Sequence, residues 1–299
     1  MRLASQLEHP AIARVHGLHK AEDAWYLILE RPEANSVGQL LTLATEAGCY
    51  FSPGLVLHIG ARVAQVLHYA HTRVDARDRP LGIVHRGIDT DSVLLDWEGR
   101  VKVAEFATAL STLPGRVVST VRGPRGDAYY ASPEMLLGSR VDARSDLFTL
   151  GLVLLELATG THLFDAPEGV PEPVRASLTR RQRERVGRAI QRAEALGCTY
   201  HIEDIVWRAA TYTPEDVAGL TEQLPEPLRS LLRQLLRRPR DERPQAAGVL
   251  KGLEESTRFF GEHEAAEELR TFLGAGHAER VELSLPPPRG PPRQPPLSS

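Results

Sequence analysis

Cysteine is almost absent from this chain: Cys49 and Cys198 are the two in 299 residues. They lie far apart without metal-type spacing, and two are too few for a disulfide framework. A reducing compartment, the cytoplasm, is therefore the expected location. Long hydrophobic runs are missing too. The most apolar stretch, Leu147 to Ala158, carries Glu156 and falls short of the roughly 20 apolar residues that a bilayer crossing requires. It reads as a buried helix, and no membrane association is expected. Charge of one sign is not in excess either. A net charge of -3 excludes bulk attraction to nucleic acid or anionic membrane and leaves only local basic patches. Met1 to Val15 lacks the continuous apolar core of a signal peptide, and no internal repeat is visible.

What is present suffices for one large core or two modest ones, since 42% of the residues are hydrophobic. Leu3 to Leu7 reads as the tail of a helix that His9-Pro10 stops, because the residue before proline avoids the α region. Ile12 to Gly17 and Trp25 to Glu30 read as strands around a polar turn at Lys20 to Asp23. Ser52 and Pro53 open a helix to His71, with Leu55, Ile59, Val63, Val66, Leu67 and Ala70 at helical spacing. Short runs at Ile83-Val84, Val93 to Leu95 and Val101 to Val103 suit small paired strands, the last two broken by the turn cluster Asp96 to Gly99. Arg180 to Leu196 is a basic amphipathic helix with Val186, Ala189, Ile190 and Ala193 on one face. It is either a solvated helix packed on the large lobe or a contact for a partner or an acidic surface. His68 and His71, three apart on one helix, have no cysteine or carboxylate cluster beside them, and no metal is expected there. A helical extension spans 257–285. Residues 286–299 are rich in proline and arginine, cannot bury enough apolar area to fold, and predict a disordered tail or a ligand for a proline-recognising domain.

Several segments occur in a telling order. Leu7-Glu8-His9-Pro10-Ala11-Ile12 comes first, then Tyr26-Leu27-Ile28-Leu29-Glu30, then His85-Arg86-Gly87-Ile88-Asp89-Thr90-Asp91-Ser92-Val93-Leu94-Leu95. Glu105-Phe106-Ala107, Ala131-Ser132-Pro133-Glu134, Ala143 to Gly151 and Glu242-Arg243-Pro244 follow. Together they resemble, over roughly Leu3 to Leu253, the ordered motifs of protein kinases in their bacterial Ser/Thr branch. The resemblance implies an α+β, protein-kinase-like fold over 1–256. Residues 1–50 would be an incomplete small β lobe with the hinge, and 51–256 a mainly helical large lobe. The residues it retains are structural: Arg86 of the His-Arg motif, Asp146 as a buried acceptor for the catalytic loop, and the ion pair of Glu134 with Arg243.

The chemical positions of that family are replaced. Gly87 stands at the general base, Asp89 at the loop lysine, Ser92 at the metal-binding asparagine and Glu105 at the metal-binding aspartate. The Gly-rich loop, the strand lysine and its glutamate partner would lie N-terminal to Met1. Glu105 is the one remaining metal candidate, and its extra methylene moves the carboxylate in a site that demands near-ideal geometry for Mg²⁺. Glu30 and Leu94 are the remaining candidates for contact with a nucleotide. Pro32 falls where the family donates an N–H to adenine, and proline has none. Gly126-Asp127-Ala128 stands where Gly-Thr is usual, which adds negative charge near Asp89. No cofactor is expected, ATP and Mg²⁺ included.

The reading favoured is a non-catalytic domain of this kind, a pseudokinase, regulating or scaffolding other signalling proteins. An active or ATP-binding kinase with atypical motifs, and a non-functional fragment of a longer gene, are the alternatives.

Overall fold

The computed structural model describes residues 7–21, 24–30, 32–106, 109–112, 128–165, 168–198 and 201–273. The predicted disordered tail, the Gly126-Asp127 replacement and Ala107 lie outside them. Strands β1 (Val15–Ala21) and β2 (Ala24–Leu29) form an antiparallel pair. The first strand begins later than its apolar pattern predicts. Ile12 instead makes an isolated bridge with Val103, and Ala13 N–H donates to the Val103 carbonyl, so Ile12 is buried against the helical core.

Strand β3 (Asn35–Ser36) leads directly into helix α1 (Val37–Glu46), which the sequence reading did not identify. Its signal was present as Ser36-x-x-Gln39. The Ser36 hydroxyl accepts from Gln39 N and the Gln39 side chain accepts from Ser36 N, a reciprocal cap that satisfies two otherwise orphaned donors.

Helix α2 (Pro53–His71) starts at the Ser52 cap, and its whole apolar face is buried. Strands β4 (Val93–Leu95) and β5 (Val101–Val103) join β3 in a three-stranded antiparallel sheet of order β3-β4-β5. Ala128–Tyr130 forms a 3-10 turn, followed by α3 (Pro133–Leu136) and α4 (Ala143–Thr159). Twelve residues of α4 are buried, including every position from Ser145 to Leu155, so it is surrounded by protein on all sides.

Around it lie α5 (Glu172–Ser177), α6 (Arg180–Ala195), α7 (Ile202–Thr211), α8 (Pro214–Leu220), α9 (Leu228–Leu235), α10 (Ala246–Leu253) and α11 (Glu262–Leu273). One hydrophobic cluster runs from Leu7 to Leu269. The fold is thus α+β, with little strand and a predominantly helical large lobe. No helix among the described residues is long and apolar enough to cross a membrane.

The C-terminal α11 closes onto the start of α2. Glu268 accepts from both the backbone N–H and the hydroxyl of Ser52, and a Cβ on Gly99 would collide with the Glu262 carbonyl. Gly99 has φ +81, a conformation glycine adopts without penalty.

Candidate functional site

The site is a loop, His85 to Ser92, held from beneath by one carboxylate. Asp146 sits in the first turn of α4 and is fully buried. It accepts from His85 N and Arg86 N, each at 2.8 Å. His71 Nε2, at the end of α2, lies 2.8 Å from the same carboxylate. Three donors on one buried carboxylate compensate its desolvation. This role of His71 was missed in the sequence, where nothing in the His68/His71 spacing points to Asp146.

His85 is buried with both ring nitrogens occupied. Gly87 N–H donates to Nδ1 at 3.3 Å, so the other nitrogen carries the proton and donates to the Ala104 carbonyl at 2.8 Å. Burial lowers its pKa, outweighing the nearby charge of Asp146. The Phe106 ring meets it edge-on at 4.5 Å. Arg86 takes a left-handed backbone, φ 67, and Glu105 another, φ 66. For non-glycine residues such conformations persist only where surrounding contacts over-determine them.

Beyond Gly87 the loop closes on itself. The Asp89 carboxylate accepts from Ser92 N at 2.7 Å and Asp91 N at 3.1 Å. Ser92 Oγ accepts from Asp89 N at 2.9 Å and donates to the Asp89 carbonyl at 3.1 Å. Ser92 has no exposed surface. One carboxylate oxygen of Asp89 and the hydroxyl of Ser92 are therefore each bonded to the other residue's backbone, in the local bonding that aspartate and serine favour in turns. Burial raises the Asp89 pKa against those hydrogen bonds. Desolvation, then the charges of Asp89 and Asp91, raise that of Glu105. Three carboxyl groups, those of Asp89, Asp91 and Glu105, thus lie close enough to feel one another's charge.

The unforeseen helix α1 is what steadies the loop from the side. Gly38 N–H donates to the Thr90 carbonyl at 3.0 Å, and Ser36 Oγ donates to Asp91 at 3.3 Å. Thr90 also shares a hydrogen bond with the Tyr130 hydroxyl at 3.1 Å, and that hydroxyl donates to Glu156 of α4.

The other candidates lie around this loop. Glu30 follows β2, and both of its functions are engaged. Its N–H donates to the Arg14 carbonyl, while its carboxylate accepts from Arg14 N and pairs with Lys102 of β5. The Lys102 hydrogen bond is the main reason its pKa is lowered. Leu94 is half-buried between buried Val93 and Leu95, so strand alternation places it on the opposite face from the core. Pro32 has no N–H to offer.

Glu134 of α3 and Arg243 meet in the large lobe through two parallel bonds, 2.7 and 3.0 Å. Ser145 Oγ adds a third bond to Glu134 at 2.6 Å, and the Arg243 guanidinium lies 4.5 Å from the Phe148 ring centroid. Burial works against ionised Glu134, yet the Arg243 bonds and charge outweigh it and hold its pKa below the ordinary value.

Comparison with known proteins bears on the whole of this arrangement. The tyrosine-protein kinase MasK of Myxococcus xanthus is 34% identical over 164 residues, 54% of this chain and 25% of that protein. The serine/threonine-protein kinase PrkC of Bacillus subtilis is 31% identical over 169 residues, 56% of this chain and 24% of that protein. PknB of Mycobacterium leprae, also a serine/threonine-protein kinase, is 30% identical over 173 residues, 56% of this chain and 26% of that protein. The chain spans about a quarter of the length of these relatives. The family described as protein kinase domain matches residues 1–252. With that match running from the first strand pair through the Asp146-anchored loop to the Glu134–Arg243 pair, the chain belongs to the protein kinase family.

Proposed function

We propose that this chain is a catalytically impaired protein kinase domain, a pseudokinase, that regulates or scaffolds other signalling proteins in the cytoplasm. The observation that carries the reading is the self-closed loop. Phosphoryl transfer requires a carboxylate to orient the attacking hydroxyl, metal ions on the phosphates and a lysine to neutralise them. Gly87 has no side chain to orient anything. Asp89 and Ser92 are hydrogen-bonded to each other, and a carboxylate replaces a cation at 89. ATP and Mg²⁺ are not expected to bind: Ser92 offers only a hydroxyl already bonded to the Asp89 backbone, Asp89 adds negative charge where phosphates would lie, and Pro32 cannot donate to adenine. What remains is architecture, and large-lobe surfaces bind proteins without chemistry. The proline-rich tail is a second candidate for partner contact.

The direct check is labelled phosphate incorporation into the protein itself and into basic protein substrates, with Mg²⁺ or Mn²⁺. The expected rate equals a no-enzyme control, because catalytic residues that act as a unit are lost as a unit. Incorporation that vanished in Glu105→Ala would overturn the reading.

Nucleotide binding is tested separately by melting. A ligand held only by the native state stabilises it by about 2.7 kcal/mol at a hundredfold excess over Kd. No such rise in Tm is expected with millimolar ATP and metal. A clear metal-dependent rise would make this an ATP-sensing domain instead.

A further inference from the structure

The basic helix picked out in the sequence finds its setting on the large lobe, away from the loop just described. Between Arg180 and Ala195, α6 carries six arginines and two glutamates, although the whole chain is net negative. Val186, Ala189 and Ala193 are buried against the large lobe, which turns the remaining faces outward. Arg185 clamps the helix to the segment after α3: its Nε donates to the Leu137 carbonyl at 3.1 Å, and its guanidinium also bonds Ser139 Oγ.

Between α6 and α3 lies a groove of about 450 Å³. Leu137 and Leu178 contribute apolar surface to it over the buried Val186, and Arg140, Arg185, Arg238 and Arg240 line it as well. The charges do not cancel. Arg240 is neutralised, with Asp142 at 3.0 Å and Asp241 at 3.3 Å. Arg140, Arg185 and Arg238 have no acidic group within ion-pair distance among the described residues. Glu134, the one acidic residue lining the groove, is committed to Arg243.

We propose that this groove docks an acidic polypeptide segment of a partner protein, with an apolar side chain on the Leu137–Leu178 surface and flanking carboxylates on the three arginines. Charge complementarity selects the occupant. Guanidinium forks match carboxylates in two-point contacts, and of five N–H donors per guanidinium, the described bonds use two of Arg185 and one of Arg238. Those bonds also fix the two side chains before a partner arrives, which lowers the ordering cost of binding. A nucleic acid strand fits less well, because no aromatic side chain lines the groove to stack a base. The proposal gives the protein-binding reading a site and a partner chemistry, and it rests on that reading. The experiment contains no nucleotide, so its outcome is independent of phosphoryl transfer.

The test is fluorescence anisotropy of the full chain with a labelled peptide in which a central leucine is flanked by glutamates. Control peptides replace the glutamates with glutamine, or the leucine with serine. Saturable binding of the glutamate peptide is expected, weakening as salt rises. Arg140→Glu combined with Arg238→Glu should weaken it by about tenfold or more without lowering Tm. Should that reversal lower Tm, Arg140→Gln with Arg238→Gln removes the charge more gently, and a loss of about threefold is then expected. The proposal is overturned by equal binding of the glutamine peptide, by wild-type affinity in both double variants, or by no saturable binding. A single-stranded oligonucleotide that binds more tightly than the peptide, with the same dependence on Arg140 and Arg238, would also overturn it and assign the groove to nucleic acid.

Discussion

Glu134→Ala is expected to destabilise the protein by about 3 to 5 kcal/mol, the range typical of breaking a buried ion pair from one side. The Arg243 side chain has no exposed surface, so its charge would remain where water cannot compensate it. Arg243→Ala should cost at least as much. It leaves Glu134 unpaired and also removes the bonds to the Arg237 and Arg238 carbonyls and the contact with Phe148. The double variant should cost less than the sum, since either single change already forfeits the same pair. Urea unfolding of the three variants measures this, and strict additivity would mean that the pair contributes nothing as a pair. The lowered pKa of Glu134 sets the pH window. Its contribution is complete above the ordinary glutamate value and is lost as pH falls through the lowered folded-state value. Glu134→Gln should accordingly show a flatter acid limb.

Local pattern made some of this molecule legible and tertiary geometry hid the rest. The Ser52-Pro53 start of α2, the buried α4 and the amphipathic α6 could be read because each combines a cap or a period with sufficient length. The displaced start of β1 could not. Val15–Ala21 alternates with histidine, glycine and lysine, while the more strand-like Ile12 was drawn out of it by Val103. Helix α1 does carry a local signal, the Ser36-x-x-Gln39 cap, but its apolar period spans only ten residues and competes with the hinge that the resemblance implies there. His71 is a different case, since its partner is 75 residues away and no spacing encodes that.

The site divides in the same way. The order of the motifs is what assigns Gly87, Asp89, Ser92 and Glu105 to the family's chemical positions, as an expectation from sequence. That Asp89 and Ser92 would bond to each other depends on how the loop turns, and the loop turns as it does because Asp146 draws in the His85 and Arg86 amides while α1 holds Thr90 and Asp91. The loop's order thus comes from the buried Asp146 beneath it and from α1 beside it.

Lowering the pH from about 7 to 5 should remove about 2 kcal/mol of stability through a single residue, His162. Its ring is stacked on Tyr129 at 3.6 Å between centroids and meets Tyr130 and Phe164 edge-on. Its Nδ1 accepts from Phe164 N at 3.1 Å. The proton therefore sits on Nε2, which finds no hydrogen-bond partner among the described residues. Carboxylates are near, but Asp165 accepts from the Tyr129 hydroxyl and Glu156 from that of Tyr130, and burial dominates. It lowers the His162 pKa from 6.5 to about 3. The folded state thus refuses a proton that the unfolded state takes up. Stability from this group is complete above about 6.5 and declines as pH falls toward the folded value, by about 1.4 kcal/mol per unit. His162→Phe keeps an aromatic ring against Tyr129 and removes the titration. Urea unfolding of both proteins from neutral pH to pH 5 should show the variant losing about 2 kcal/mol less than the wild type. Parallel pH profiles would mean that His162 is protonated in the folded protein, and that the ring cluster opens to admit its charge.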